Sequence, residues 1–195
     1  FIGCVTFLIT FYFANIKENK KLYVLFKQVT TALALIKCIQ SHSVQQYKFV
    51  AFLFYFIGDY VITIQSQKWF QFLVASAISF SVGHIILLTS FVVTIKSVLI
   101  SLLLGSVVPL FLYLKKKIDV KKLIAMSLYV AICVSIFVSS SRNQNIKLTV
   151  GAFLFYFSDC LVVYRSFVST TQLKKKIGHF ILLGTYYIAI YIYAE

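Results

Sequence analysis

Apolar residues run along this chain in long unbroken stretches, and short polar connections separate them. Cut at those connections, the sequence predicts helices near residues 1–15, 22–40, 48–65, 69–93, 97–114, 123–140, 148–165 and 177–194. The apolar runs are about 15 to 23 residues long, against the roughly 20 that a helix rising 1.5 Å per residue needs to cross the hydrocarbon core. A transmembrane barrel would show alternating segments of about ten residues instead. Phe1 to Phe13 could pass for the apolar part of a signal peptide, but no basic stretch precedes them and no small-residue cleavage site follows, so a first helix is expected. Because every connection is short, sequential helices should be antiparallel neighbours. The expected fold class is an all-α membrane protein, a bundle of about eight transmembrane helices forming a single multi-pass domain over residues 1–195.

Composition agrees. Of 195 residues, 61% are hydrophobic and 12% charged, and the mean hydropathy is +0.91, far from the near-even apolar share of soluble domains. The net charge of +14 would suggest nucleic acid in a soluble protein. Here all the Lys and Arg residues but Lys27 are assigned to the connections, where anionic headgroups and the positive-inside rule account for them, so no nucleic-acid partner is expected. The odd connections hold Lys17, Lys20 and Lys21; Lys68; Lys115, Lys116, Lys117, Lys121 and Lys122; and Arg165, Lys174, Lys175 and Lys176. The even ones hold Lys37, Lys48, Lys96, Arg142 and Lys147, which places the odd connections in the cytoplasm and both termini on the far side. Cys4, Cys38, Cys133 and Cys160 lie in or beside apolar segments with no zinc or disulfide spacing, and read as small packing residues.

An internal echo suggests a weak parallel repeat. Helix three carries AFLFYFIGD, Ala51 to Asp59, and helix seven carries AFLFYFSD, Ala152 to Asp159. One helix later come Gly83-His84 and Gly178-His179, each followed by an aliphatic run. Four helices separate the copies, so they would share orientation.

Candidate chemistry rests on five acids. Glu18, Asp119 and Glu195 fall in connections or at the end, whereas Asp59 and Asp159 lie about two-thirds of the way along their helices. An Asp there costs about 2.5 to 3.5 kcal/mol on the insertion scale, and intramembrane acids are functional by default, although hydrogen bonding between helices is an accepted alternative. Both aspartates come out roughly 17 Å into the membrane, and Lys27 at a similar depth, so one cytoplasmic-side site could hold all three. Lipid favours a neutral carboxyl and a nearby cation favours the carboxylate, so such a pair would split into a general acid and a general base. Lys27 could equally snorkel to the interface. His84 lines the same region or packs as a neutral ring; His179, beside Lys176, reads as interfacial, and His42 lies in a connection. Two Asp and two His could be drawn as a metal site, but no pair has i, i+4 or HExxH spacing, so no metal and no cofactor is expected. Tyr55, one turn before Asp59, and Tyr186 and Tyr187 in helix eight are candidates for supporting a polar cavity.

These residues resemble the YhhN-like integral membrane proteins, whose characterised members are lysoplasmalogenases. The resemblance rests on Phe26-Lys27 with Thr30-Thr31, Gly58-Asp59, Phe80 and His84, Gly151 to Asp159 with Phe167, and Thr185-Tyr186-Tyr187. The chain departs from the family pattern in three places: Gln28 replaces a Pro, Leu87 a Tyr and Ile190 a Gln. The resemblance implies hydrolysis of the vinyl ether of a lysoplasmalogen, a lysophospholipid taken from the bilayer, to a fatty aldehyde and a glycerophospho-alcohol. Asp59 and Asp159 would then be catalytic, with Lys27, His84, Tyr55, Tyr186 and Tyr187 supporting. The membrane expected is the endoplasmic reticulum of a eukaryote or the inner membrane of a bacterium. A small proton-coupled transporter, for which Pro109 would offer a kink, and a non-catalytic lipid-binding protein are the rival readings.

Overall fold

A computed structural model describes residues 8–12, 20–40, 46–63, 69–168 and 171–194, and every regular element among them is helical. The helices are α1 (8–12), α2 (Lys20–Gln40), α3 (Gln46–Thr63), α4 (Trp69–Leu88), α5 (Ile95–Leu114), α6 (Val120–Arg142), α7 (Ile146–Phe167) and α8 (Gln172–Tyr193). The outer parts of the expected first helix, with Cys4, Glu18, His42, Lys68 and Glu195, lie outside the described residues. Among the described residues, five helical segments are long and apolar enough to cross a membrane: Leu22–Gln40, Phe70–Leu88, Ile95–Leu114, Val120–Arg142 and Ile146–Phe167. The other two long helices, α3 and α8, carry Lys48 with Asp59 and Lys174 to Lys176, which lower their mean hydropathy. Side chains such as Ile95, Leu99 and Leu103 are 82%, 61% and 70% exposed, an outward apolar face that suits lipid and not water.

Helix ends are set by capping that hydropathy does not show. The expected fourth helix ran to residue 93, yet α4 stops at Leu88 and leaves Phe91, Val92 and Val93 outside any helix. The reason is the reciprocal cap of α5, in which Ser97 N–H donates to Thr94 Oγ1 at 3.2 Å and Thr94 N–H to Ser97 Oγ at 2.9 Å. Helices α6 and α7 begin earlier than expected because Asp119 and Asn145 accept from Lys122 N–H (2.8 Å) and Leu148 N–H (3.1 Å). Their predecessors end alike, with Lys116 and Gln144 in the left-handed region at φ 54°. Around Lys116, Lys117 N–H reaches Leu112 O and Lys116 N–H reaches Tyr113 O, so the last carbonyls of α5 keep their partners.

The chain divides into two compact units, residues 1–87 with 190–195, and residues 88–189. In the first, α2 packs on α3, and α4 holds α3 through Ser76 Oγ donating to Gly58 O (2.9 Å) and Ser79 Oγ to Phe54 O (2.7 Å). A Cβ at Gly83 would stand 2.5 Å from the Tyr55 ring, so the absent side chain is what lets that ring lie on α4.

The second unit is built on α5, α6 and α7. Ser97, Ser101, Gly105 and Pro109 recur every fourth residue and form the buried stripe of α5. At Gly105 a Cβ would come 2.5 Å from the backbone nitrogen of Ala131, so α5 and α6 meet backbone to backbone. Tyr156 Oη donates to Leu104 O at 3.3 Å, and Arg142 bonds the Thr94 hydroxyl, tying the end of α6 to the start of α5.

The internal echo takes a different form from its letters. Residues 51–59 and 151–159 show the same succession of buried, intermediate and exposed side chains, in phase when counted back from the two acids. The shared string AFLFYF is one residue out of phase with that pattern, and one residue turns a helix by about 100°. Phe52 is therefore buried while Phe153 is exposed, and the positional counterpart of Tyr55 is Phe155, not Tyr156. The Gly-His pairs do not correspond either: His84 is near the end of α4 and His179 is in the first half of α8.

Candidate functional site

Asp59 is the fourteenth residue of α3 and Asp159 the fourteenth of α7, so each carboxyl lies about 20 Å along its helix at 1.5 Å per residue. Asp59 belongs to the first unit and Asp159 to the second.

Asp59 is clamped by α2. Lys27 and Thr31 are one turn apart and therefore share a face of that helix. Lys27 Nζ stands 2.9 Å from Asp59 Oδ1, and Thr31 Oγ1 donates to Asp59 Oδ2 at 2.5 Å. Asp59 is 1% exposed and Lys27 7%, so the lysine is spent on the acid and does not snorkel to the interface. A cation on one oxygen and a hydroxyl on the other make this group a held carboxylate.

Behind it stands an aromatic layer. Tyr55, one turn before Asp59 and fully buried, places its ring 5.1 Å from His84 and 5.9 Å from Phe80, centroid to centroid. His84 is fully buried, and its Nδ1 lies 2.8 Å from Phe80 O. A carbonyl only accepts, so Nδ1 carries the hydrogen in that bond. Lys27, Asp59, Tyr55 and His84 thus lie together in the first unit, as does Ile190, which is fully buried. Gln28 has both polar atoms of its amide buried with no hydrogen-bond partner among the described residues.

Asp159 has different company. Tyr129 and Cys133, one turn apart on α6, both donate to its Oδ2, at 3.0 Å and 3.2 Å. Cys133 therefore does more than pack, which corrects the reading of the cysteines as filler, whereas Cys38 is buried with its thiol free of any disulfide. Phe155, one turn before Asp159, meets Tyr186 edge-on at 5.4 Å, and Tyr187 lies 5.4 Å from Tyr186. His179 accepts from Arg165 Nη1 at Nδ1, 3.2 Å away, so its partner is this arginine across the α7–α8 connection.

Sequence reasoning passed over Tyr129 and Cys133, and used Thr31 only as part of a resemblance. Their signal was present as i, i+4 pairs of a cation or weak acid with a hydroxyl or thiol on an apolar helix. Such pairs become visible only once the acid they face is known.

The two acids are held differently, one by a cation and a hydroxyl and the other by two neutral donors. No curated protein and no solved structure matches the chain. The YhhN family model matches residues 22–195, which span α2 to α8 and both aspartates, and the chain belongs to the YhhN family.

Proposed function

We propose that this chain is a lysoplasmalogenase-like hydrolase that cleaves the vinyl ether of a lysoplasmalogen. Family membership supports the reading, and the observation that carries it is the Lys27–Asp59–Thr31 clamp, a buried acid held by a cation on one oxygen and a hydroxyl on the other. Vinyl ethers break when the alkene carbon is protonated. That step yields an oxocarbenium ion, water adds to it, and the resulting hemiacetal collapses to aldehyde and alcohol. Asp159 supplies the proton and recovers one from the attacking water. Asp59, held by Lys27 and Thr31, is the second proposed catalytic group. His84 and Tyr55 support Asp59, and Tyr186 and Tyr187 support Asp159 through Phe155.

The substrate is a lysophospholipid drawn sideways from the bilayer, its single chain in the apolar region and its phosphate near the basic connections. No cofactor enters the scheme. The setting is a multi-pass protein of the endoplasmic reticulum membrane in a eukaryote or of the inner membrane in a bacterium.

The test is aldehyde release by purified protein in detergent, with no gradient present. Wild type should produce aldehyde, and Asp59→Asn or Asp159→Asn should lower the rate by about 100- to 10,000-fold while the protein stays folded. Folded Asn variants that work at near the wild-type rate would show the carboxylates to be structural. A wild type that is silent in detergent but moves protons or substrate across sealed vesicles would favour a carrier.

A further inference from the structure

The α5–α6 connection is short, yet it encloses space. Tyr113 and Leu114 at the end of α5, Lys116 and Lys117 in the connection, and Asp119 and Lys122 at the start of α6 line a hollow of about 570 Å³. Small-molecule sites span about 300–1,000 Å³. Ile118 in the same wall is 7% exposed, so the connection is folded onto the protein and does not hang in solvent as a bare run of charge. Lys116 stands in the left-handed region at φ 54°, where glycine is the unstrained choice, and brings to the rim an ammonium that glycine would not.

The charges around the hollow do not cancel. Lys122 Nζ is paired with Asp119 Oδ2 at 3.0 Å, whereas Lys116 and Lys117 have no acidic partner among the described residues. Three ammonium groups against one carboxylate leave an excess of two positive charges. Asp119 already accepts the Lys122 N–H, so this positive character comes from side chains and not from the start of a helix. Both α5 and α6 are long and apolar enough to cross a membrane, which puts their connection at headgroup level, where the abundant anion is the lipid phosphate. Lysine binds phosphate well as a point charge.

The row of side chains leading inward from the hollow ends at Asp159. Lys122, Met126, Tyr129 and Cys133 follow i, i+4, i+7, i+11 spacing and share one face of α6. Tyr129 and Cys133 are the residues that touch the Asp159 carboxyl. From Lys122 to Tyr129 the helix rises about 10 Å, which a lysine stem and one glycerol unit together span.

We infer that this hollow receives the phosphate of the lysophospholipid, with Lys116 and Lys117 as the residues that bind it. The inference rests on the hydrolase reading for the fate of the ligand, while the binding itself stands apart from that reading. With its phosphate at the connection, a lysophospholipid lays its glycerol along the Lys122 face of α6 and brings its ether to the level of Asp159. A neutral lipid with the same chain offers the two lysines nothing.

The test uses the full-length protein in an uncharged detergent and radiolabelled palmitoyl lysophosphatidylcholine, an ester that lacks the vinyl ether. Monopalmitoylglycerol, the same lipid without its phosphate, and inorganic phosphate are the comparison probes. Lys116→Gln/Lys117→Gln, at exposed positions that leave the core alone, should weaken lysophosphatidylcholine binding by about 10-fold and monopalmitoylglycerol binding not at all. Lys96→Gln/Lys147→Gln, which removes the same charge at the starts of α5 and α7, should weaken neither. Inorganic phosphate at a concentration equal to that of the lipid should not displace it. Unchanged affinity in the first pair, equal loss in both pairs, or displacement by inorganic phosphate, which would mark a site for the free ion, each overturns the proposal.

Aldehyde release from a lysoplasmalogen supplies the second readout. Lys116→Gln/Lys117→Gln should raise KM by about 10-fold with kcat unchanged. A KM that does not move overturns the proposal and leaves the hydrolase reading standing. If wild type releases no aldehyde while the binding results hold, the hydrolase reading fails and the phosphate site remains.

Discussion

Replacing Lys27 with Met keeps the length and apolar stem of the side chain and deletes the cation beside Asp59. The two groups are 2.9 Å apart with side chains 9% and 2% exposed, so solvent cannot stand in for the missing partner. Breaking a buried pair from one side costs about 3–5 kcal/mol, because the remaining charge is stranded. The carboxylate has one escape, which is to take up a proton. For an ordinary aqueous aspartate at pH 7 that costs about 4 kcal/mol, which caps the damage. The cap falls by about 1.4 kcal/mol for each unit of pH below 7, since folding of the variant now takes up a proton that the unfolded chain does not hold. Lys27→Met should therefore unfold well below wild type in detergent at pH 7, and the gap should narrow by roughly 3 kcal/mol at pH 5. Adding Asp59→Asn should recover most of the lost stability, because the site is then neutral, without recovering activity. The assay is thermal unfolding followed by circular dichroism. A gap that is absent, or that is equal at pH 7 and pH 5, would refute the claim that Lys27 neutralises a buried carboxylate.

Two further outcomes follow from packing and from charge. Gly105→Leu should destabilise the second unit by at least about 1–3 kcal/mol, because its first side-chain atom meets the Ala131 backbone and no rotamer can relieve that; thermal unfolding measures it, and an unchanged midpoint would mean that α5 and α6 do not touch there. The basic connections at Lys115 to Lys122 and Lys174 to Lys176 should face the cytoplasm, so single cysteines introduced there should resist an impermeant thiol reagent applied to intact cells, and labelling from outside would invert the topology.

The helical plan was legible because lipid imposes it: a stretch of about 20 apolar residues has one backbone solution that satisfies its own polar groups. The special status of Asp59 and Asp159 was legible for the same reason, since an acid in an apolar run is costly enough to stand out. The ends of α4, α6 and α7 were not legible, because Thr94, Asp119 and Asn145 act through hydrogen-bond geometry to which hydropathy is blind. Identical letters drew attention to AFLFYF, while the conserved quantity is the phase of burial relative to the acid, which puts Phe155 where Tyr55 stands. The donors to Asp159 stayed hidden because Tyr129 and Cys133 are each common on apolar helices, and only the facing carboxylate gives them a role.

The order of Lys27 and Asp59 along the chain has a consequence for synthesis. The lysine leaves the ribosome 32 residues before the acid that neutralises it. At about 5–20 residues per second, α2 spends roughly two to six seconds at the membrane with an unmatched cation. During that interval the stem must carry the ammonium to the headgroups, and α2 must remain loose enough to rotate back when α3 arrives. Membrane entry of this helix is thus completed by its successor, and α2 with α3 is the smallest segment of the unit in which Lys27 has its counter-charge.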